Sequence, residues 1–212
     1  MDENFDTIQI LQEMMLELRG LALERTMSVS DIVHEALGEY LMFRANGVNL
    51  FDVIYGIESA MNKSGRFVTN ADPAGLSIFI KSPIRYVYRP ELKYDVRIAR
   101  SGAASIGKIS VALRSRDMET IELFSGFVGL WIDLERKYLP RSQAYTTDAG
   151  YFGRQICCEM ERHGDGRSIG DAIGSYIRVF DELLKRYINY RDSAHEIEKL
   201  YRARLNDGKL TI

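Results

Sequence analysis

One segment of this chain has to be covered on more than one side. Between Asp117 and Tyr138, the residues Ile121, Phe124, Val128, Trp131 and Leu134 recur at spacings of three and four and form one stripe of a helix. Leu123, Phe127 and Leu130 lie off that stripe, so a helix here is buried on more than one face. That requirement makes it the expected centre of the fold. Pro140 closes it.

Upstream of this helix the hydrophobic period changes to two. Leu76 to Ile80 is a compact apolar run. Arg85–Arg89 and Lys93–Ile98 alternate, with Pro90 and Glu91 near the turn between them, which reads as a hairpin. Ile106 to Leu113 alternates again after a loop with Ser101, Gly102 and Ser105. Three to four strands in succession predict an antiparallel sheet with one packed face. That face would carry Tyr86, Tyr88, Tyr94, Val96, Ile98, Ile109, Val111 and Leu113, covered by the 117–138 helix.

The flanking segments read as helices. Asn49 is a cap for a helix that buries Phe51, Ile54, Ile57 and Met61. Tyr151 to Arg162 fits a helix or a strand and is read as a helix. Ser168, with Asp171 three residues on, approximates a capping box for a helix with Ile173, Tyr176, Ile177, Phe180 and Leu184 on one side. A last amphipathic helix, from about Ser193 to Leu205, buries Ile197, Leu200 and Tyr201.

The N-terminus has its own pattern. Phe5 to Ile10 fits a short strand with Ile8 and Ile10 on one face. Gln12 to Arg25 fits a helix with Met14, Met15, Leu18, Leu21 and Ala22 along one side. After a break at Thr26-Met27, Ser28 or Ser30 caps a second helix through Ile32, Val33, Ala36, Leu37, Tyr40 and Leu41, which Asn46-Gly47 ends. In this order of elements, residues 5–45 resemble the ribbon-helix-helix family of dimeric bacterial transcriptional regulators. The resemblance implies that two chains pair their strands into a ribbon that enters the major groove of double-stranded DNA. It places base contacts at Phe5, Thr7 and Gln9. It places phosphate contacts at Ser28, Val29 and Ser30, at the start of the second helix. The fold expected for the whole chain is α+β. A ribbon-helix-helix-like segment at 1–46 precedes an α+β domain at 47–212. In that domain the sheet lies at about 76–114, the central helix at about 117–138 and the C-terminal helices at about 168–205.

Charge is unevenly spread. The formal net charge is −2, but residues 1–45 hold nine acids against three bases, and residues 81–116 hold nine bases against two acids. No Lys or Arg precedes Arg19, although contacts to a phosphate backbone draw on cationic side chains. On the sheet, alternation turns Arg85, Arg89, Lys93, Arg97, Lys108 and Arg114 outward, onto neighbouring strands about 4.8 Å apart. Such a basic face suits a phosphate backbone, an acidic partner or an anionic small molecule. It lacks the interleaved aromatic rings that base stacking uses.

Other classes are set aside. The chain is 46% hydrophobic and 27% charged, ordinary for a globular protein. It has no apolar run of the roughly 18 residues that a membrane span needs, and its acidic start is unlike a secretory signal. Adjacent Cys157 and Cys158 are poorly placed to bridge each other, which fits a reducing cytoplasm. His34, His163 and His195 show no metal-ligand spacing. Without a phosphate-binding loop, nucleophile elbow or paired-carboxylate motif, the chain is read as a non-enzymatic, dimeric DNA-binding regulator whose second domain serves oligomerisation or effector sensing, with neither cofactor nor metal. The alternative is an interaction protein that dimerises through its N-terminal segment and binds an acidic partner or anionic ligand on the basic sheet face.

Overall fold

A computed structural model of the chain describes residues 9–33, 36–37, 49–63, 65–73, 75–86, 88–101, 105–139, 144–157 and 165–210. The chain divides into two compact units, Met1–Gly47 and Val48–Ile212.

In the first unit, helix α1 spans Gln12–Arg25 and stops at Thr26, whose φ of 56° is left-handed. Ser28 then caps a helical stretch at 29–33. Its Oγ accepts the Asp31 N–H at 3.1 Å. The Asp31 carboxylate in turn accepts the Ser28 N–H at 3.2 Å and hydroxyl at 2.7 Å. Of the expected α1 stripe only Ala22 is buried; Met15 and Leu18 are half-buried, and Met14 and Leu21 are exposed. Most of the expected strand, Phe5 to Ile8, lies outside the described residues. Gln9 and Ile10 belong to neither helix nor strand.

The second unit is an antiparallel sheet with helices on one side. Its elements run α2 (Leu50–Asn62), β1 (Val68–Asp72), β2 (Ser77–Pro83), β3 (Glu91–Ser101), β4 (Ser105–Arg114), α3 (Met118–Tyr138), β5 (Tyr145–Asp148), β6 (Tyr151–Cys157), α4 (Gly166–Tyr190) and α5 (Ala194–Asn206). The strands lie in the order β1-β2-β3-β4-β6-β5, every neighbouring pair antiparallel. The sheet thus has six strands rather than three to four.

The inner face buries Ile78 and Ile80 of β2, Leu92, Tyr94, Val96 and Ile98 of β3, Ile109 and Val111 of β4, and Phe152 and Ile156 of β6. Against it lie α3 and α4. Phe180 of α4 stacks on Phe152 at 5.3 Å and meets the edges of Tyr94, Phe127 and Trp131. The centre expected of the 117–138 helix is therefore shared: α3 buries Phe124, Phe127 and Trp131, and α4 buries still more of its length.

Caps fix where the helices begin. The Asn49 side chain accepts the Phe51 N–H, Asp117 accepts that of Thr120, and Ser193 forms a complete capping box with Glu196. The α4 cap is Asp165, not Ser168, so the helix starts three residues earlier than a Ser168 cap implies, at Gly166. Phe51, at the first turn of α2, is exposed rather than buried, and Leu200 of α5 is half-buried.

The backbones of α2 and α4 touch. Gly166, Gly170 and Gly174 recur every four residues on α4; Gly166 faces Asn49 and Asp52, Gly170 faces Val53 and Gly56, and Gly174 faces Ala60. A Cβ added at Gly170 would lie 2.3 Å from the Val53 carbonyl oxygen, and one at Gly56 would lie 2.7 Å from the Arg167 carbonyl oxygen. Only residues without a side chain allow this approach.

Two strand expectations are corrected. The hairpin joins β2 to β3, with Ser77 opposite Arg97 and Pro83 opposite Glu91. Arg85, Tyr86, Tyr88 and Arg89 belong to the loop between them, closed by Ile84 N–H to the Pro90 carbonyl at 2.9 Å. Tyr88 and Arg89 have left-handed φ of 60° and 44°, which ends the pleat that alternation implied. Tyr88 is accordingly exposed and Tyr86 half-buried, neither lying in the sheet core. Residues 151–157 are the strand β6, not a helix. Asp148 and Gly150, with φ of 70°, turn β5 back into β6, and the Asp148 carboxylate accepts the Ala149 N–H at 2.7 Å.

Candidate anion-binding face and buried polar centre

The outer face of β3, β4 and β6 holds a shallow depression of about 460 Å³. Pairing register puts Lys93 opposite Ala112, Asp95 opposite Ser110 and Arg97 opposite Lys108. On the next strand, Ser110 faces Gly153 and Ala112 faces Tyr151. The floor is therefore small: Ser110, Ala112 and Gly153. The rim is long and cationic: Lys93, Arg97, Lys108 and Arg114, with Asp95 the one carboxylate in the lining. Gly153 makes the room. A Cβ there would lie 3.0 Å from Lys108 Cε and 3.2 Å from the Tyr151 hydroxyl.

Aromatic rings sit among these cations, contrary to the sequence reading. Lys93 Nζ lies 4.5 Å from the centre of the Phe79 ring, and Lys108 Nζ lies 5.9 Å from that of Tyr151. The Tyr151 hydroxyl donates to Ser110 Oγ at 3.0 Å. Arg97 pairs with Asp95 at 3.2 Å, and that hydrogen bond raises the guanidinium pKa further. Arg114 also borders a wider, open depression with Arg116 and Tyr88, so the basic surface continues past the end of β4.

Four of the six expected basic-face residues meet here. Arg85 and Arg89 do not: both lie in the β2–β3 loop, where Arg89 is exposed and Arg85 lines a different cleft, beside Lys185. Among the residues assigned to DNA contact by resemblance, Phe5 and Thr7 lie outside the described residues and Gln9 is exposed. Ser28 and Ser30 are exposed and Val29 is half-buried. The N–H and hydroxyl of Ser28 are already engaged by Asp31.

A buried polar centre lies on the opposite side of the sheet. Arg154 of β6 is fully buried and donates from Nε to Glu135 of α3 at 3.0 Å. The same carboxylate accepts the hydroxyls of Tyr145 at 2.7 Å and Tyr176 at 2.8 Å, and the Trp131 indole N–H at 3.1 Å. The Arg154 guanidinium also stacks 4.7 Å above the Tyr176 ring. Burial first, then the Glu135 charge, pushes the Tyr145 and Tyr176 hydroxyls well above their ordinary pKa. Glu135 and Arg154 are out of reach of solvent, so their ion pair holds the fold from inside. A second buried link joins Tyr94 to Asp181 at 3.0 Å and Asp181 to Lys185 at 2.8 Å.

No helix among the described residues is long and apolar enough to cross a membrane, and no cluster of His, Cys, Asp and Glu among them is placed to hold a metal. No family model, curated protein or solved structure matches the chain.

Proposed function

We propose that the chain is a non-enzymatic, cytoplasmic nucleic-acid-binding regulator that contacts phosphates through its outer sheet face. The observation that carries this reading is the cationic rim of Lys93, Arg97, Lys108 and Arg114 around a floor of Ser110 and Ala112. Lys108 and Arg114 are six residues apart on β4, roughly 20 Å at about 3.4 Å per residue. That equals about six base-pair rises of about 3.4 Å. A span of that length fits a polyanion better than one small anion. The face also supplies cations, which the acidic segment at 1–45 lacks ahead of Arg19.

The test is the salt dependence of binding to a labelled duplex of mixed sequence, read by fluorescence anisotropy. Each phosphate neutralised contributes about −0.9 to the slope of log K against log salt. The double variant Lys93→Gln/Lys108→Gln should flatten that slope by about two and weaken binding to all sequences alike. An unchanged slope overturns the reading.

A second reading concerns the first unit. Leu11, Met14, Leu16, Leu21 and Leu23 are exposed along α1, and the ribbon-helix-helix resemblance supplies their cover, a second copy of the chain. In this reading the unit dimerises, and phosphate contact does not pass through Ser28, whose donors Asp31 engages. Sedimentation of the full chain should give a dimer, and Leu16→Glu/Leu23→Glu should give a monomer. A monomeric wild type removes this part of the proposal.

A further inference from the structure

The outer sheet face carries rings as well as cations, and pairing register fixes where they stand. Phe79 of β2 lies opposite Asp95 of β3, Asp95 opposite Ser110 of β4, and Ser110 opposite Gly153 of β6. In the next outward row, Lys93 lies opposite Ala112 and Ala112 opposite Tyr151. Phe79 and Tyr151 therefore flank the small-residue floor from opposite sides. Three strand spacings of about 4.8 Å and two residues of about 3.3 Å separate them, about 16 Å in all. Both rings are half-buried, and each carries a lysine. Lys93 Nζ lies 4.5 Å from the centre of the Phe79 ring, and Lys108 Nζ lies 5.9 Å from that of Tyr151. Neither lysine forms an ion pair among the described residues, because Asp95, the one carboxylate in the lining, is held by Arg97 at 3.2 Å.

A ring beside an ammonium without a counter-charge, found twice on one face, matches a ligand that alternates flat bases with phosphates. A duplex offers its phosphates to the lysines, but its bases stack on one another and present no face to a side-chain ring. A lone nucleotide fills one ring and leaves the other. A single strand uses both. The lysine stems are flexible, so each ammonium can leave its ring for a phosphate as a base takes its place. The exchange is favourable because a charge-assisted bond to phosphate is stronger than an exposed cation–π contact. The separation of about 16 Å corresponds to about five nucleotides at about 3.4 Å each. That length falls within the range of about 4–16 nucleotides known for single-strand-binding domains. We infer that the outer sheet face binds single-stranded nucleic acid in preference to duplex, with bases stacked on Phe79 and Tyr151 and phosphates on Lys93 and Lys108. The inference rests on the phosphate-binding reading of this face and names the form of nucleic acid that it takes.

The experiment is fluorescence anisotropy of the full chain with a labelled DNA strand of about 12 nucleotides, mixed in sequence and not self-complementary, and with the same strand annealed to its complement. The single strand should bind about ten-fold more tightly than the duplex or better. Phe79→Leu and Tyr151→Leu should each weaken single-strand binding about ten-fold, the loss of one stacked base, and leave duplex binding unchanged. Tyr151→Phe keeps the ring and removes only the hydroxyl bond to Ser110, so it should bind as the wild type does. Lys93→Gln/Lys108→Gln should weaken binding to both forms. Each variant's Trp131 fluorescence should match that of the wild type, which shows that it is folded. The comparison of the two forms needs no variant and stands even if a leucine variant fails to fold. Duplex bound as tightly as single strand, single-strand binding indifferent to both rings, or a loss in Tyr151→Phe equal to that in Tyr151→Leu would each overturn this inference, while a duplex salt slope that the lysine variant flattens would leave the phosphate-binding reading in place. Binding to neither form would overturn both.

Discussion

Adding a single methyl group at Gly170 should unfasten the second unit. An alanine there places its Cβ 2.3 Å from the Val53 carbonyl oxygen, 2.7 Å from Gly56 Cα and 2.8 Å from the Ile57 nitrogen. All three are backbone atoms of α2, so no side-chain rotation relieves the clash. Ordinary carbon contacts lie at about 3.5–4.0 Å, so the helices must separate by about 1 Å. That separation also opens the contact of Gly174 with Ala60 and Met61. Overpacking a filled interface costs about 1–3 kcal/mol, and a clash with rigid backbone belongs at the upper end. The gain in helix propensity from Gly to Ala returns at most about 1 kcal/mol. The net expectation is a loss of about 2 kcal/mol. The same substitution at Gly129, an exposed position in α3 with nothing within 4 Å, should stabilise by about 0.5–1 kcal/mol. Urea denaturation followed by the fluorescence of Trp131, the one tryptophan of the chain, reads both variants. At an m-value of about 2 kcal/mol/M, Gly170→Ala should lower the midpoint by about 1 M. A midpoint for Gly170→Ala at or above that of the wild type, or shifts of the same sign in the two variants, would refute the close-packing argument.

The buried ion pair makes a different kind of prediction. Arg154→Met leaves the Glu135 charge buried without its cation and should cost about 3–5 kcal/mol in chemical denaturation. Adding Glu135→Leu to that variant should recover most of the loss, since a well-packed apolar pair is often as stable as a buried salt bridge. Loss of the α5 cap in Ser193→Ala should cost about 1 kcal/mol, measured in the same way. High pH should unfold the protein in one step with tyrosine ionisation. Burial first, then Asp181, raises the Tyr94 pKa, and burial first, then Glu135, raises that of Tyr176. Both hydroxyls stay protonated in the folded state, while the unfolded chain loses those protons near pH 10. The stability they confer is fully present below pH about 10 and is lost as pH rises through their folded values. Absorbance at the tyrosinate band and circular dichroism should therefore change together; buried tyrosines that ionise before unfolding would contradict the assignment.

Helices were legible in this sequence because their signals are local. Asn49 and Ser193 cap where their side chains say they should, and of the expected α3 stripe Phe124, Val128, Trp131 and Leu134 are buried and Ile121 half-buried, while off it Phe127 is buried and Leu123 and Leu130 are half-buried. Strands were legible only where alternation met no competing signal. Arg85 to Arg89 alternate as well as any strand, yet Arg85, Tyr86, Tyr88 and Arg89 lie in a loop, because the pairing of β2 with β3 ends at Pro83 opposite Glu91. In β6 the pattern was hidden: Gly153 faces out with no side chain, and Arg154 faces in with a charge. An inward arginine reads as polar until its partner Glu135, nineteen residues earlier, is brought beside it by the fold. The candidate site shared this divide. Lys93, Arg97, Lys108 and Arg114 followed from period two, whereas Phe79, Tyr151 and Gly153 depended on strands that the sequence left ambiguous.

The same arginine connects the core to the face. Side chains along a strand alternate, so slipping β6 by one residue would turn Arg154 outward and bring its neighbours Gly153 and Gln155 into the core. With Arg154 fixed to Glu135, Gly153 must lie opposite Ser110 and Tyr151 opposite Ala112, which is the arrangement that leaves the depression open beneath Lys108. An apolar residue at 154 would serve stability about as well, but apolar side chains pack in either of several neighbouring registers. A buried charge must meet its counter-charge, and such pairs are best attested as devices that set register. The polar centre on one side of the sheet thereby determines the shape of the cationic surface on the other.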